Sequence, residues 1–236
     1  MTAGVVYIAF GVDYVAEAVH SARSLKQHTP VPVTLFTDME TSDLAFDQVV
    51  RIKVAHKRAK VDFISRSPYE RTLYLDSDTR VVRDVSDIFE TLGRFDIAAT
   101  HDLSRKSSRW AHNVPEYDAI PYSFPEYNGG VLAYRSGQRT ADFLGLWRDY
   151  FYQYRDRTNG QDQASLRVAL WKSEVSVHTL PVEYNVRSRA NRTKIDRRAR
   201  TPADESLLKP RILHWHGLDR RNPLNWLNPE TRPFRY

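Results

Sequence analysis

Two carboxylates one residue apart, Asp76 and Asp78, close the segment Thr72-Leu73-Tyr74-Leu75-Asp76-Ser77-Asp78-Thr79. The apolar stretch before them predicts a strand, along which residues i and i+2 point to the same side. Like charges so placed repel in a low dielectric unless a cation lies between them. Carboxylate oxygens suit the hard ions Mg²⁺ and Mn²⁺, which commonly hold substrate phosphates. The expectation is a metal–phosphate site at the carboxyl end of a sheet strand. By itself the pair is weak evidence, because Asp-x-Asp arises by chance and equally fits a solvated acidic turn.

Other segments carry groups that could complete such a site. His214-Trp215-His216-Gly217 ends a late apolar run, and a neutral imidazole is a good third ligand beside two carboxylates. Alternation puts His214 and His216 on one side of that strand, so either could serve. Arg220 and Arg221 follow and could neutralise phosphate. Asn128-Gly129-Gly130 precedes another apolar run, and glycines there let backbone approach a ligand closely. Asp162, in Asn159-Gly160-Gln161-Asp162-Gln163, could cap a helix or face a sugar. Tyr14 could stack on a base or pack as an ordinary aromatic.

These groups need elements to hold them. Val5–Phe10 predicts a buried strand and Asp13 an N-cap, with Val15, Ala18, Val19, Ala22 and Leu25 at helical spacing until Pro30 and Pro32. Strands are expected at Val33–Phe36, Val49–Val54, Leu73–Leu75, Ile97–Ala99, Gly130–Tyr134, Ser176–Leu180 and Arg211–Trp215. Helices are expected at Lys60–Ser67, Arg139–Arg155 and Asp162–Trp171. Strand alternating with helix predicts an α/β fold with a mostly parallel sheet and helices on both faces. Ligands then sit beyond the carboxyl ends of the strands, where Phe10, Asp13, Tyr14, Asp76 and Asp78 fall.

At 236 residues the chain suits a single domain with a sizeable core. No apolar run is long enough to span a bilayer. No leader with a charged n-region and a cleavage site is seen, so the expectation is a cytoplasmic protein. There are no cysteines, which excludes disulfides and thiolate metal sites. The net charge of +6 is concentrated between Arg187 and Arg200, where seven basic residues meet only Asp196. Such a run suits a solvated loop or an anionic partner.

Two enzyme classes end an apolar strand in Asp-x-Asp: GT-A glycosyltransferases and haloacid-dehalogenase-type phosphatases. The phosphatase alternative would make Asp76 a nucleophile and Asp78 a general acid, with Mg²⁺. It needs a downstream Lys and then a late acidic pair for the metal; the last third is dominated by Arg, and Asp204-Glu205 follows no apolar strand. Taken in order, the segments resemble the family 8 glycosyltransferases, the group of glycogenin and the lipopolysaccharide sugar transferases. The resemblance covers most of the chain and implies one GT-A (Rossmann-like) domain over 1–236. Residues to about 100 would form a nucleotide-binding half, and 101–236 an acceptor and sugar half.

The same resemblance implies Mn²⁺ or Mg²⁺ held by Asp76, Asp78 and His214. It places a nucleotide-diphosphate-sugar, a uridine one by family habit, against Ala9, Tyr14, Lys60, Asp76, Ser77, Asp78, Asp102, Asn128, Gly129, Gly217 and Arg220. Asp162 and Gln163 match the pair facing the donor sugar, Asp162 as the reacting or orienting carboxylate and Gln163 to position it. Retention of anomeric configuration is implied. The family's Gly-x-x-Lys-Pro-Trp is altered here to Gly217-Leu218-Asp219-Arg220, with Pro223 and Trp226 displaced. A glycan, lipid-linked or other hydroxyl would be the acceptor, and the basic run suits an acidic glycan or a head group at a membrane surface. A nucleic-acid partner is not expected, because no motif for one appears.

Overall fold

The computed structural model describes residues 2–54, 56–102, 113–187 and 209–214. Its strands are β1 (Ala3–Ile8), β2 (Val33–Thr37), β3 (Gln48–Arg51), β4 (Arg71–Leu75), β5 (Thr79–Val81), β6 (Ile97–His101), β7 (Tyr127–Arg135), β8 (Val177–Thr179) and β9 (Ile212–His214). Its helices are α1 (Gly11–His28), α2 (Lys60–Phe63), α3 (Asp87–Thr91), α4 (Pro115–Ala119), α5 (Gln138–Tyr154) and α6 (Gln163–Lys172), with 3₁₀ turns at Ile64–Arg66 and Val182–Tyr184.

Seven strands form one sheet in the order β3-β2-β1-β4-β7-β6-β8, and β5 pairs with β9 in a small antiparallel ribbon. Within the large sheet β7 alone runs against the others, antiparallel to both β4 and β6. The remaining pairings are parallel. The mostly parallel α/β expectation therefore holds, with one reversal at the centre.

Alternation along β1 sorts the core into two layers. Val5, Tyr7 and Ala9 face α1 and α3, where they meet Ala18, Ala22, Leu25, Ile88 and Phe89. Val6 and Ile8 face the other layer, where Phe143, Trp147 and Phe151 of α5 and Leu166 and Leu170 of α6 pack. Helices thus cover both faces.

Several boundaries differ from the sequence expectation. Helix α1 begins at Gly11, with Phe10 at the N-cap and Asp13 already inside the first turn. The Gly11 N–H donates to Asp38 Oδ1 at 2.9 Å, so a carboxylate from beyond β2 satisfies that helix start and Asp13 does not. The helix expected over Lys60–Ser67 is one α turn followed by a 3₁₀ turn. Asn128, Gly129 and Gly130 lie within β7 rather than before it.

Candidate functional site

Strand β4 ends at Leu75, and the chain turns back at once into β5. Thr79 Oγ1 donates to the Asp76 carbonyl at 2.8 Å and closes the turn. Asp76 and Asp78 therefore converge through a tight turn, not through strand alternation. This turn is pinned from both sides. The Asp76 N–H donates to the Gly130 carbonyl of β7 at 2.8 Å. Behind it, the buried hydroxyls of Tyr7, Ser21 and Thr79 link β1, α1 and β5 at 2.9 and 2.7 Å.

The ribbon partner β9 delivers His214 opposite Thr79. His214 Nε2 lies 3.2 Å from Asp78 Oδ1 and 3.7 Å from Asp76 Oδ2. One ligand atom from each of these residues falls within 4.8 Å of the others. Two carboxylates and one imidazole form a donor set suited to a divalent ion such as Mn²⁺. Gly130 keeps the space in front of it open, since a Cβ there would lie 2.3 Å from His214 Cε1 and 2.5 Å from Asp76 Oδ2.

A second acidic centre adjoins the first. Lys60 Nζ sits 3.3 Å from Asp76 Oδ1 and 3.1 Å from Asp162 Oδ2, and donates to the Gly129 carbonyl at 3.2 Å. Burial opposes the charge on Lys60, but Asp162 and Asp76 outweigh it and raise its pKa, so the ammonium is retained. Burial would likewise raise Asp162; Lys60 and Arg58 overcome it and hold the carboxylate below its ordinary value. Arg58 approaches Asp162 at 3.4 Å and donates to Gln161 at 2.6 Å. Tyr74, its hydroxyl pKa raised by burial and by Asp76, stays protonated and donates to Asp76 Oδ1 at 2.6 Å.

Asp162 occupies the N-cap of α6, yet its side chain makes no capping bond. The carboxylate is turned toward Lys60 and Arg58 instead, while Trp147 Nε1 fixes its backbone carbonyl at 3.2 Å. Gln163 does not bond Asp162; its amide donates to the Tyr127 carbonyl and so ties α6 to β7.

Two cavities open on either side of Lys60, Asp76 and His214. The smaller, about 260 Å³, is lined by Ile8, Ala9, Phe10, Tyr14, Ser77 and Asp78, among others. The larger, about 660 Å³, includes Asp102, Asn128, Gly129, Asp162, Gln163 and Arg157 in its lining. Every site residue named from the sequence that is described thus borders one cavity or both. Gly217, Arg220 and the alternative ligand His216 lie outside the described residues.

The fold itself has known relatives. Galactosyltransferase LgtC, in complex with donor and acceptor sugar analogs, superposes with a TM-score of 0.65 at 17% identity, over 91% of this chain and 87% of that one. The fold is that of the GT-A glycosyltransferases. The glycosyltransferase GlyE of Streptococcus pneumoniae TIGR4 matches at 0.63 and 18% identity, over 94% of this chain and 57% of that one. Mouse xyloside xylosyltransferase 1 matches at 0.55 and 13%, over 92% and 98%. No protein-family model matches the chain, and no curated protein does.

Asn185 and Arg187 line or support the site without a motif that names them. Asn185 sits in Leu180-Pro181-Val182-Glu183-Tyr184-Asn185, and its side chain reaches His214 and Asn128, 29 and 57 residues away. Arg187 borders both cavities and donates to Asp102 Oδ2 at 3.0 Å. In sequence Arg187 reads as the first residue of a solvated basic run. Side chain-to-side chain pairing between segments distant in sequence was the missing signal, and only three-dimensional proximity supplies it.

Proposed function

We propose that the chain is a metal-dependent glycosyltransferase, moving a sugar from a uridine diphosphate-sugar to a hydroxyl of a glycan or lipid-linked acceptor, with retention. One observation carries this reading. On a GT-A fold, an Asp76–Asp78–His214 donor set stands between a cavity that carries the rings of Phe10, Tyr14 and Tyr74 and one that carries no such ring. LgtC, with its donor and acceptor sugar analogs, supports a two-substrate site of this kind.

The small cavity would take the nucleotide, with Tyr14 stacking on the base. The large one would take the donor sugar and the acceptor, so residues to about 100 supply most of the nucleotide side. Asp76, Asp78 and His214 would hold Mn²⁺ or Mg²⁺. When bound, such an ion supplies Lewis-acid neutralisation of the leaving diphosphate. Lys60 presents a retained ammonium to the same region, where negative charge develops on the leaving group. Asp162, kept ionised by Lys60 and Arg58, would orient a sugar hydroxyl or face the oxocarbenium-like carbon. Asp102 and Asn128 offer further hydrogen-bond partners to the sugar. Attack from the front face, aided by the departing phosphate, accounts for retention without a protein nucleophile.

The phosphatase reading fits the site poorly. Its motif strand here is β4, preceded by three others, and the cation beside Asp76 is the upstream Lys60.

The test is a donor panel. Purified chain is incubated with common nucleotide-sugars, with Mn²⁺ and with chelator, and release of nucleoside diphosphate is followed. Metal-dependent release from one donor is expected. Release from none of them, together with Mg²⁺-dependent hydrolysis of a generic phosphate ester, would overturn the proposal.

A further inference from the structure

We infer that Asn185 is the positioning residue for His214: through a buried relay with Asn128 it fixes the imidazole tautomer that leaves Nε2 free to bind a cation. The inference rests on the metal reading above but concerns residues to which that reading assigns no such role. Four contacts form the chain. His214 Nδ1 lies 2.9 Å from Asn185 Oδ1. Asn185 Nδ2 donates to Asn128 Oδ1 at 2.9 Å. The Gly130 N–H donates to that same Asn128 oxygen at 3.0 Å. Asn128 Nδ2 donates to Asp102 Oδ2 at 3.3 Å.

The direction of each bond follows from the ends of the chain. Amide oxygen and nitrogen look alike, and imidazole tautomers are read only from their partners. Here the Gly130 N–H, a backbone donor, requires an acceptor, so Asn128 must present its oxygen to it. Asn128 then aims its amide nitrogen at the Asp102 carboxylate, which also accepts from Arg187. Because Asn128 Oδ1 faces Asn185, Asn185 must present a donor, its nitrogen. That leaves the Asn185 oxygen facing His214, so Nδ1 must carry the proton.

Nε2 is then the nitrogen left to face Asp76 Oδ2 at 3.7 Å and Asp78 Oδ1 at 3.2 Å, where its lone pair would serve a bound cation. Asn128, Asn185 and His214 are each no more than 5% exposed, so water does not compete for these bonds. An imidazole held through its other nitrogen is the usual arrangement of a metal-binding histidine.

The test uses the full chain in three forms: wild type, Asn185→Leu and Asn185→Asp. Long-range ¹H–¹⁵N spectra of the metal-free protein report the His214 tautomer, with His214→Gln supplying the assignment. Calorimetry with Mn²⁺ reports affinity. Wild type should show the Nδ1–H tautomer. Asn185→Leu should lose that preference, and its Mn²⁺ affinity should fall about 10–100-fold. Asn185→Asp still offers His214 an oxygen and should hold Mn²⁺ within a few-fold of wild type. Its other oxygen now confronts Asn128 Oδ1, so its KM for the nucleotide-sugar should rise.

A wild-type His214 whose Nδ1 carries no proton, or undiminished Mn²⁺ binding by Asn185→Leu, would overturn the inference. Should Asn185→Leu fail to fold, the wild-type spectrum and the Asp variant still decide it. Failure of the underlying metal reading looks different: wild type would bind no Mn²⁺ while His214 still showed Nδ1–H.

Discussion

The small cavity is walled by Ile8, Phe10, Tyr14 and Tyr74 together with Lys57, Ser77 and Asp78, the large one by Asp102, Asn128, Asp162 and Gln163 among others, with Arg58, Lys60, Asp76, Arg187 and His214 shared between them. A flat, weakly polar ring needs an apolar or aromatic face and few hydrogen bonds. A sugar carries hydroxyls around its whole rim and needs many oriented partners. The small lining offers the rings of Phe10, Tyr14 and Tyr74, which have no counterpart in the large one, and the residues shared at the partition combine charges of both signs, as a diphosphate and its counter-ion would require. The small lining comes from the end of β1 and the start of α1, the segment leading into α2, and the end of β4 with the turn after it. The large one comes from β7, the loop leading into α6 and the segment after β6, brought together by β7 running back through the centre of the sheet.

Substitutions at the partition should disable both cavities, and the largest effect is expected there. Asp76→Asn removes a ligand and keeps the side-chain shape. Turnover should fall on the order of 1,000-fold, the loss of several kcal/mol of charge stabilisation, with Mn²⁺ binding lost in calorimetry. Turnover like that of wild type would break the comparison outright. Lys60→Met, also at the partition, leaves Asp162 buried beside Arg58 alone. Breaking such a pair costs about 3–5 kcal/mol, read as a lowered denaturation midpoint together with reduced turnover.

Tyr14→Ala should touch the small cavity alone. Stacking of a base on an aromatic ring is worth about 1–3 kcal/mol, so KM for the donor should rise at least several-fold with kcat and sugar preference kept. A changed sugar preference would mean that the cavities are assigned the wrong way round.

Asp96 serves as a control remote from both cavities. Burial would raise its pKa, but the Ser176 N–H, Arg135 and the Ser176 hydroxyl hold it below the ordinary 3.8. A depressed carboxyl pKa stabilises the fold above that value, and the stabilisation is lost as pH falls from there through the depressed value. Asp96→Asn should therefore cost about 1–3 kcal/mol near neutral pH, and its deficit should shrink on acidification, as read by denaturation at several pH values. Donor KM should not move.

The two regions were also unequally legible. The parallel half follows from local pattern: β1, β2 and β4 are short apolar runs bounded by Asp, Pro or Gly, and α1 shows a clear apolar stripe. The reversal of β7 does not, because a strand buried on both faces reads as apolar in either direction. The three-residue strands β5 and β9 are too short to show a period, so the ribbon that brings His214 to Asp78 left only an apolar run and a histidine. Acidic and histidine candidates were visible because few residue types can bind cations. Asn185 was not, because an amide in a loop is ordinary until its partners, far away in sequence, are known. The cap of α1 is a similar case, since Asp38 is supplied from beyond β2 while Asp13 stands where a local cap would be sought.

Calorimetric titration of uridine diphosphate into the full chain, with Mn²⁺ and with chelator, tests most directly whether the cavities and the acidic partition form one donor site. The nucleotide should bind, and Mn²⁺ should tighten it by about tenfold or more, with Mn²⁺ binding tightened by the same factor when the nucleotide is present. Nucleotide binding unchanged by chelator, or no binding at all, would contradict the account.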